Sequence, residues 1–143
     1  MEEIILEKKT SSAQENMEAY FATHDVQYVA EDAVFTHMST GDKTIGREAV
    51  RQMLQYFYHI AFDARAEIKN KIITEKKAVL EADFIGKHIG EFAGIPPTNK
   101  EVNVPLCIIY DLENGLVKHA RVYMLMDVMI KQLTSRVNKY TLT

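Results

Sequence analysis

Apolar and polar positions in this chain recur with two different periods, and the change between them falls near Asp63. Before it, Met17, Tyr20 and Phe21 stand at i, i+3 and i+4, which gathers them on one stripe of a helix. Thr10-Ser11-Ser12 followed by Glu15 predicts the start of that helix, because a Ser hydroxyl caps free N–H groups while a nearby Glu reaches back. A second short helix is predicted over 26–31, a strand over 33–38 and a turn over 39–43. Gly46-Arg47-Glu48 then opens a longer helix whose apolar face is Val50, Met53, Leu54, Phe57 and Ile60-Ala61.

After Asp63 the period drops to two. Residues 66–73 read as a strand and 75–77 as a turn. The run 78–92 contains Gly86 and Gly90, which suits a strongly bent strand, and Gly94-Ile95-Pro96-Pro97-Thr98-Asn99-Lys100 reads as a loop. Residues 102–112 form a strand that is apolar on both faces. Glu113-Asn114-Gly115 is a hairpin turn, since Asn-Gly accepts positive φ, and 116–126 is the returning strand. A helical turn is predicted over 128–133 and a polar tail over 134–143. Helices first and consecutive antiparallel strands afterwards make the class α+β, a single domain over 1–133. A long curved sheet has two faces to cover. The N-terminal helices cover the concave one, and the apolar convex one invites a partner subunit.

Composition narrows the function classes. At 143 residues, 47% hydrophobic and 26% charged, the chain is ordinary for a globular protein. Its net charge of −3 is spread without a basic stripe, which argues against nucleic acid. No apolar run approaches the length of a membrane span, and the acidic N-terminus is unlike a signal peptide. The single cysteine, Cys107, fits a reducing compartment, so the expectation is a cytoplasmic protein. The five histidines (24, 37, 59, 88 and 119) show no metal-ligand spacing, and the glycines form no phosphate cradle, so no metal or cofactor is expected.

The segment His88-Ile89-Gly90-Glu91-Phe92-Ala93-Gly94-Ile95-Pro96-Pro97-Thr98-Asn99-Lys100 resembles a motif of the SnoaL-like polyketide cyclases and related ester cyclases. Gly46 to Val50, Ala61-Phe62-Asp63, the Tyr123 and Asp127 pair, and Gln132-Leu133 also match that family's order, so the resemblance spans roughly Met17 to Leu133. It departs from the family at Asn99 (usually Gly), Tyr123 (usually Trp) and Thr134 (usually Gly). The resemblance implies a cone-shaped, curved, mostly antiparallel sheet with helices on its concave face, the nuclear-transport-factor-2-like or cystatin-like roll. It implies a homodimer, and a cofactor-free intramolecular aldol closure with Asp127 as base. The fold hosts many functions, so it settles no activity alone.

Such a closure removes a proton next to a carbonyl and stabilises the enolate. A carboxylate does this better in an apolar cavity, where burial raises its pKa. Asp127 lies in the most apolar surroundings of any acid here, and on a strand it would share a face with Tyr123, Arg121 and His119. The competing reading makes Asp127 a helix cap. His88 is the candidate enolate donor, against a structural histidine bonded to the backbone. Tyr123, Arg121, His37, Tyr56 and Phe57 are candidate substrate contacts; Tyr58 counts with the weaker ones, and His24 and His59 as surface residues. The function expected is a cyclase or isomerase acting on a polyketide- or steroid-like molecule. The alternatives are a non-catalytic module binding a hydrophobic small molecule and a dimerising domain without a pocket.

Overall fold

The structure, a computed structural model, describes residues 2–135. Its elements in order are α1 (Glu2–Thr23), a 3-10 turn (Val26–Tyr28), β1 (Val29–His37), β2 (Asp42–Ile45), α2 (Arg47–Gln55), a π-helical turn (Tyr56–Ile60), β3 (Phe62–Ile73), β4 (Lys77–His88), β5 (Glu101–Glu113), β6 (Leu116–Met124) and α3 (Met126–Thr134). The strands form one sheet in the order β2-β1-β6-β5-β4-β3, antiparallel except for the β1–β6 pair. This is the expected α+β roll, with α1 and α2 over the concave face.

Several local expectations are corrected. Helix α1 begins at Glu2, so Ser11 and Ser12 lie inside it rather than capping it; the Glu- and Lys-rich residues before them are good helix formers. The second helix is only the 3-10 turn, capped by Asp25, whose carboxylate accepts from the Gln27 N–H at 3.0 Å. The turn after His37 is followed by an unexpected strand, β2, which pairs with β1. Strand β6 stops at Met124, two residues short of the expected end. The tail expected over 134–143 falls, from residue 136 on, outside the described residues; Thr134 closes α3.

Two glycines carry shape. Gly46 precedes α2 at φ 95°, a left-handed value that a side chain resists, while its N–H donates to Ala33 O at 2.8 Å. Gly86 lies where β4 crosses β3 so closely that a Cβ would sit 2.6 Å from Ala64 Cα, which lets the pair bend tightly. The core lies between helices and sheet, with Met17 and Tyr20 from α1 against Phe35, Phe84, Leu106 and Tyr110. Among the described residues no helix is long and apolar enough to cross a membrane.

Candidate functional site

A pocket with a cavity volume of about 70 Å³ opens between the helices and the concave face. The enclosed space is therefore small. Its walls come from Tyr20 and His24 at the end of α1, Phe35 and His37 of β1, Met53 and Leu54 of α2, and Phe57 and Tyr58 of the π turn. The sheet contributes Phe84, Leu106, Ile108, Tyr110, Val122 and Met124, and Ser39 and Met126 complete the lining. The π turn has a mechanical role. Its wide loop, closed by Ala61 N–H to Tyr56 O at 2.7 Å, turns the consecutive aromatics Phe57 and Tyr58 both into the pocket.

His37 is half-buried in this wall. Its ring stacks on Phe57 at 6.1 Å, and its Nε2 lies 3.1 Å from Met53 Sδ and 3.5 Å from Thr44 Oγ1. Desolvation lowers its pKa, opposed by the charge of Asp42, so at neutral pH it is an uncharged imidazole. His24, expected on the surface, is another pocket residue. Its ring packs 4.7 Å from Tyr58 and 5.5 Å from Tyr20. Burial first, and His59 second, bring its pKa down to about 4.

Expected site residues divide sharply. His37 and Phe57 line the pocket; Asp127, His88, Tyr123, Arg121 and Tyr56 do not. Because β6 ends at Met124, Asp127 is an exposed residue in the first turn of α3 rather than a strand residue. Nor is it a cap: Leu125 holds the N-cap position, and Met129 N–H donates to Leu125 O at 3.1 Å. Its carboxylate still favours that helix terminus electrostatically. Tyr123 and Arg121 lie on the convex face by strand alternation, since Val122 and Met124 take the concave one. Arg121 forks onto Asp111 at 3.0 and 3.2 Å, and with Lys77 it holds that carboxyl far below the usual range. Tyr56 turns outward, donates to Glu91 O at 2.7 Å and stacks on Phe92.

His88 is 0% exposed behind Phe62 and cannot reach a ligand in the pocket. Its Nδ1 accepts from Thr98 N–H at 3.1 Å and lies 3.0 Å from Thr98 Oγ1; desolvation lowers its pKa. Its neighbours close a clasp. Phe92 and Ile95 pair across Ala93 and Gly94, both at positive φ as in a type I′ turn. Asn99 N–H donates to His88 O, and the Lys100 ammonium reaches Leu133 O near the end of α3 and Ser135 O just past it. Gln132 grips the Asn103 backbone at both N and O, 2.9 Å each. The loop motif and the Gln-Leu pair thus tie one end of the sheet to α3.

A roll-shaped sheet whose concave face bears an apolar pocket, with histidines in its wall and no carboxylate among the described lining residues, is an arrangement of the nuclear-transport-factor-2-like fold. A family model described as SnoaL-like polyketide cyclase matches residues 12–133, and the chain belongs to that family. Among solved structures, a protein from Jannaschia sp. CCS1 described as a SnoaL-like polyketide cyclase superposes with a TM-score of 0.78 at 16% identity, covering 90% of this chain and 95% of that one. One from Shewanella denitrificans OS-217 with the same description gives 0.72 at 20%, covering 87% and 98%. AclR from Streptomyces galilaeus, described as a hydroxylase, gives 0.71 at 17%, covering 87% and 96%. At these identities the likeness is one of fold. A search of curated proteins finds no match.

Proposed function

We propose that this protein is a cofactor-independent cyclase or isomerase that binds a compact, apolar, carbonyl-bearing molecule of polyketide or steroid type in the concave pocket. There His37 removes a proton next to the carbonyl. The observation that carries this reading is His37 itself, a neutral imidazole at the wall of a pocket that is otherwise apolar. Proton abstraction from carbon needs a base in its uncharged or anionic form, held beside the carbon acid with water excluded. Asp127, exposed at the start of α3, is the weaker candidate for that role. A non-catalytic binder is the second reading, favoured by the lack of a carboxylate among the described lining residues.

The test follows solvent deuterium entering the α-carbons of small apolar ketones, a readout that needs no knowledge of the true substrate. Under the first reading the protein accelerates exchange, His37→Gln loses that acceleration while still binding the ketone, and Asp127→Asn keeps both. Loss with Asp127→Asn alone would return the base's role to the carboxylate. Binding without exchange would favour the binder.

We infer further that a second copy of the chain covers the convex face. Tyr123 and Leu125 are exposed there beside a groove lined by Cys107, Lys69, Glu81 and Asp83, so apolar area and both signs of charge lie together, as a self-complementary dimer face requires. Sedimentation at micromolar concentration showing only monomer would remove this inference.

A further inference from the structure

Three phenol groups meet at the inner end of the pocket without using their hydrogen-bonding capacity. The Tyr20 and Tyr110 rings lie 6.1 Å apart, and ionising either phenol, or that of Tyr58, raises the cost of ionising its neighbours. None of the three hydroxyls donates a hydrogen bond to a described residue. Yet the one fully buried side-chain N or O atom without a partner among the described residues is His88 Nε2, which does not line the pocket. The phenol oxygens therefore touch open space, although Tyr20 and Tyr110 are only 1% and 2% exposed, and the space these residues line is the pocket. Tyr20 and Tyr110 are buried side chains and Tyr58 a half-buried one, so three hydroxyls without a partner on one pocket wall are a pattern that a ligand completes.

His24 stands beside them. It occupies the residue after α1 at φ 55°, a left-handed position that Gly or Asn fills more easily. The helix end thus accepts strain to hold an imidazole against Tyr58 and Tyr20. Neither ring nitrogen bonds to a described residue.

We propose that this inner end receives a ligand oxygen carrying its own acidic proton, an enol or a phenol hydroxyl, which accepts from the tyrosine hydroxyls and donates to His24. The proposal rests on the pocket reading above and adds the substrate class to it. Donors and acceptor fit that group and not its rivals. Burial keeps the phenols protonated, so they are donors; the neutral imidazole offers one lone pair, so it is the acceptor. A carboxylate or phosphate would enter with no Lys or Arg among the described lining residues to meet its charge. A plain ketone would engage the phenols and leave His24 unused. An enolised carbonyl, or the aromatic phenol that forms when a polyketide ring loses water, engages both.

The test compares 2-naphthol with 2-methylnaphthalene, which match in shape but differ in the hydroxyl, by calorimetric titration of the full chain and of Tyr58→Phe, His24→Asn and the double variant. The naphthol should bind about ten-fold tighter or more, the scale of one or two hydrogen bonds, and the double variant should bring the two ligands within about three-fold. Each single variant should lose part of the preference. Tyr58→Phe only removes an oxygen and His24→Asn suits the left-handed backbone, and thermal melts confirm that each variant is folded. Equal affinity of the two ligands for the wild type, or a preference that survives the double variant, would overturn the oxygen receptor while leaving the apolar pocket standing. Failure of both ligands to bind would overturn the pocket reading and this proposal together.

Discussion

The two faces of the β5–β6 hairpin carry opposite chemistry within one strand spacing. Its concave face presents Leu106, Ile108, Tyr110, Val122 and Met124, all pocket wall. Its convex face presents Cys107, Asp111, His119, Arg121 and Tyr123, with Asp111 bound by Arg121 and Lys77. The residues that look most catalytic as types, an Asp, an Arg and a His together, lie on the side without the pocket and satisfy one another there. The side with the pocket owes its chemistry to histidines and phenols packed among hydrocarbon. In a strand, which residue sits beside which matters less than parity, because a shift by one residue exchanges inside for outside.

The contrast breaks most visibly on the inner wall. Phe35→Ala should cost about 3–5 kcal/mol in denaturant unfolding, because it empties a site that is 2% exposed, and the same truncation should enlarge the pocket. Acid titration comes next. Because burial lowers the pKa of folded His24 to about 4, the unfolded chain takes up that proton first. Its share of stability is complete above about pH 6.5 and is lost as the pH falls towards 4. His24→Asn should therefore flatten the decline of Tm across that window, in part only, since burial also lowers the pKa of His37 and His88. An unchanged slope would show His24 to be solvated.

The outer face should respond more weakly. Asp111→Asn should cost about 1–2 kcal/mol at neutral pH, the worth of a charge-assisted pair that is partly solvated. The carboxyl's folded pKa is depressed by Arg121 first and Lys77 second, so this contribution is present above about pH 4 and disappears below it. Tyr123→Ala should change monomer stability by less than about 0.5 kcal/mol, as exposed positions do. If the convex face joins two copies, the same change should shift a sedimentation profile from dimer towards monomer; a profile that does not move would place any dimer contact elsewhere.

Much of the fold was legible in the chain. The switch of period near Asp63, the Asn-Gly turn and the helical stripe Met17, Tyr20 and Phe21 predicted real elements, because burial on one face imposes these spacings directly. The site was less legible, for reasons that lie in particular residues. Asp127 read as part of a strand because nothing in Met124-Leu125-Met126 marks a boundary; the strand ends where α3 packs on β5, a tertiary effect. The parity of β6 was visible in Val122 and Met124 against Arg121, and an apolar pocket belongs to the former set. His24 looked like a surface residue because it follows a helix end, and only the placement of Tyr58 by the π turn shows why its ring is covered. Of the matched motif, His88, Thr98, Lys100 and Gln132 proved to share a backbone clasp, a role in which one end of the sheet is held to α3.

The methionines provide the most direct test that ligands occupy the concave face. Met53, Met124 and Met126 line the pocket, Met129 is fully buried elsewhere, and Met38 is exposed. With ¹³C-labelled methionine methyl groups, titration with 2-naphthol should move the Met53, Met124 and Met126 resonances together along one saturating curve and leave those of Met38 and Met129 in place. Saturable shifts that avoid all three pocket methyls would contradict the account, because the ligand would then be binding somewhere other than the concave face.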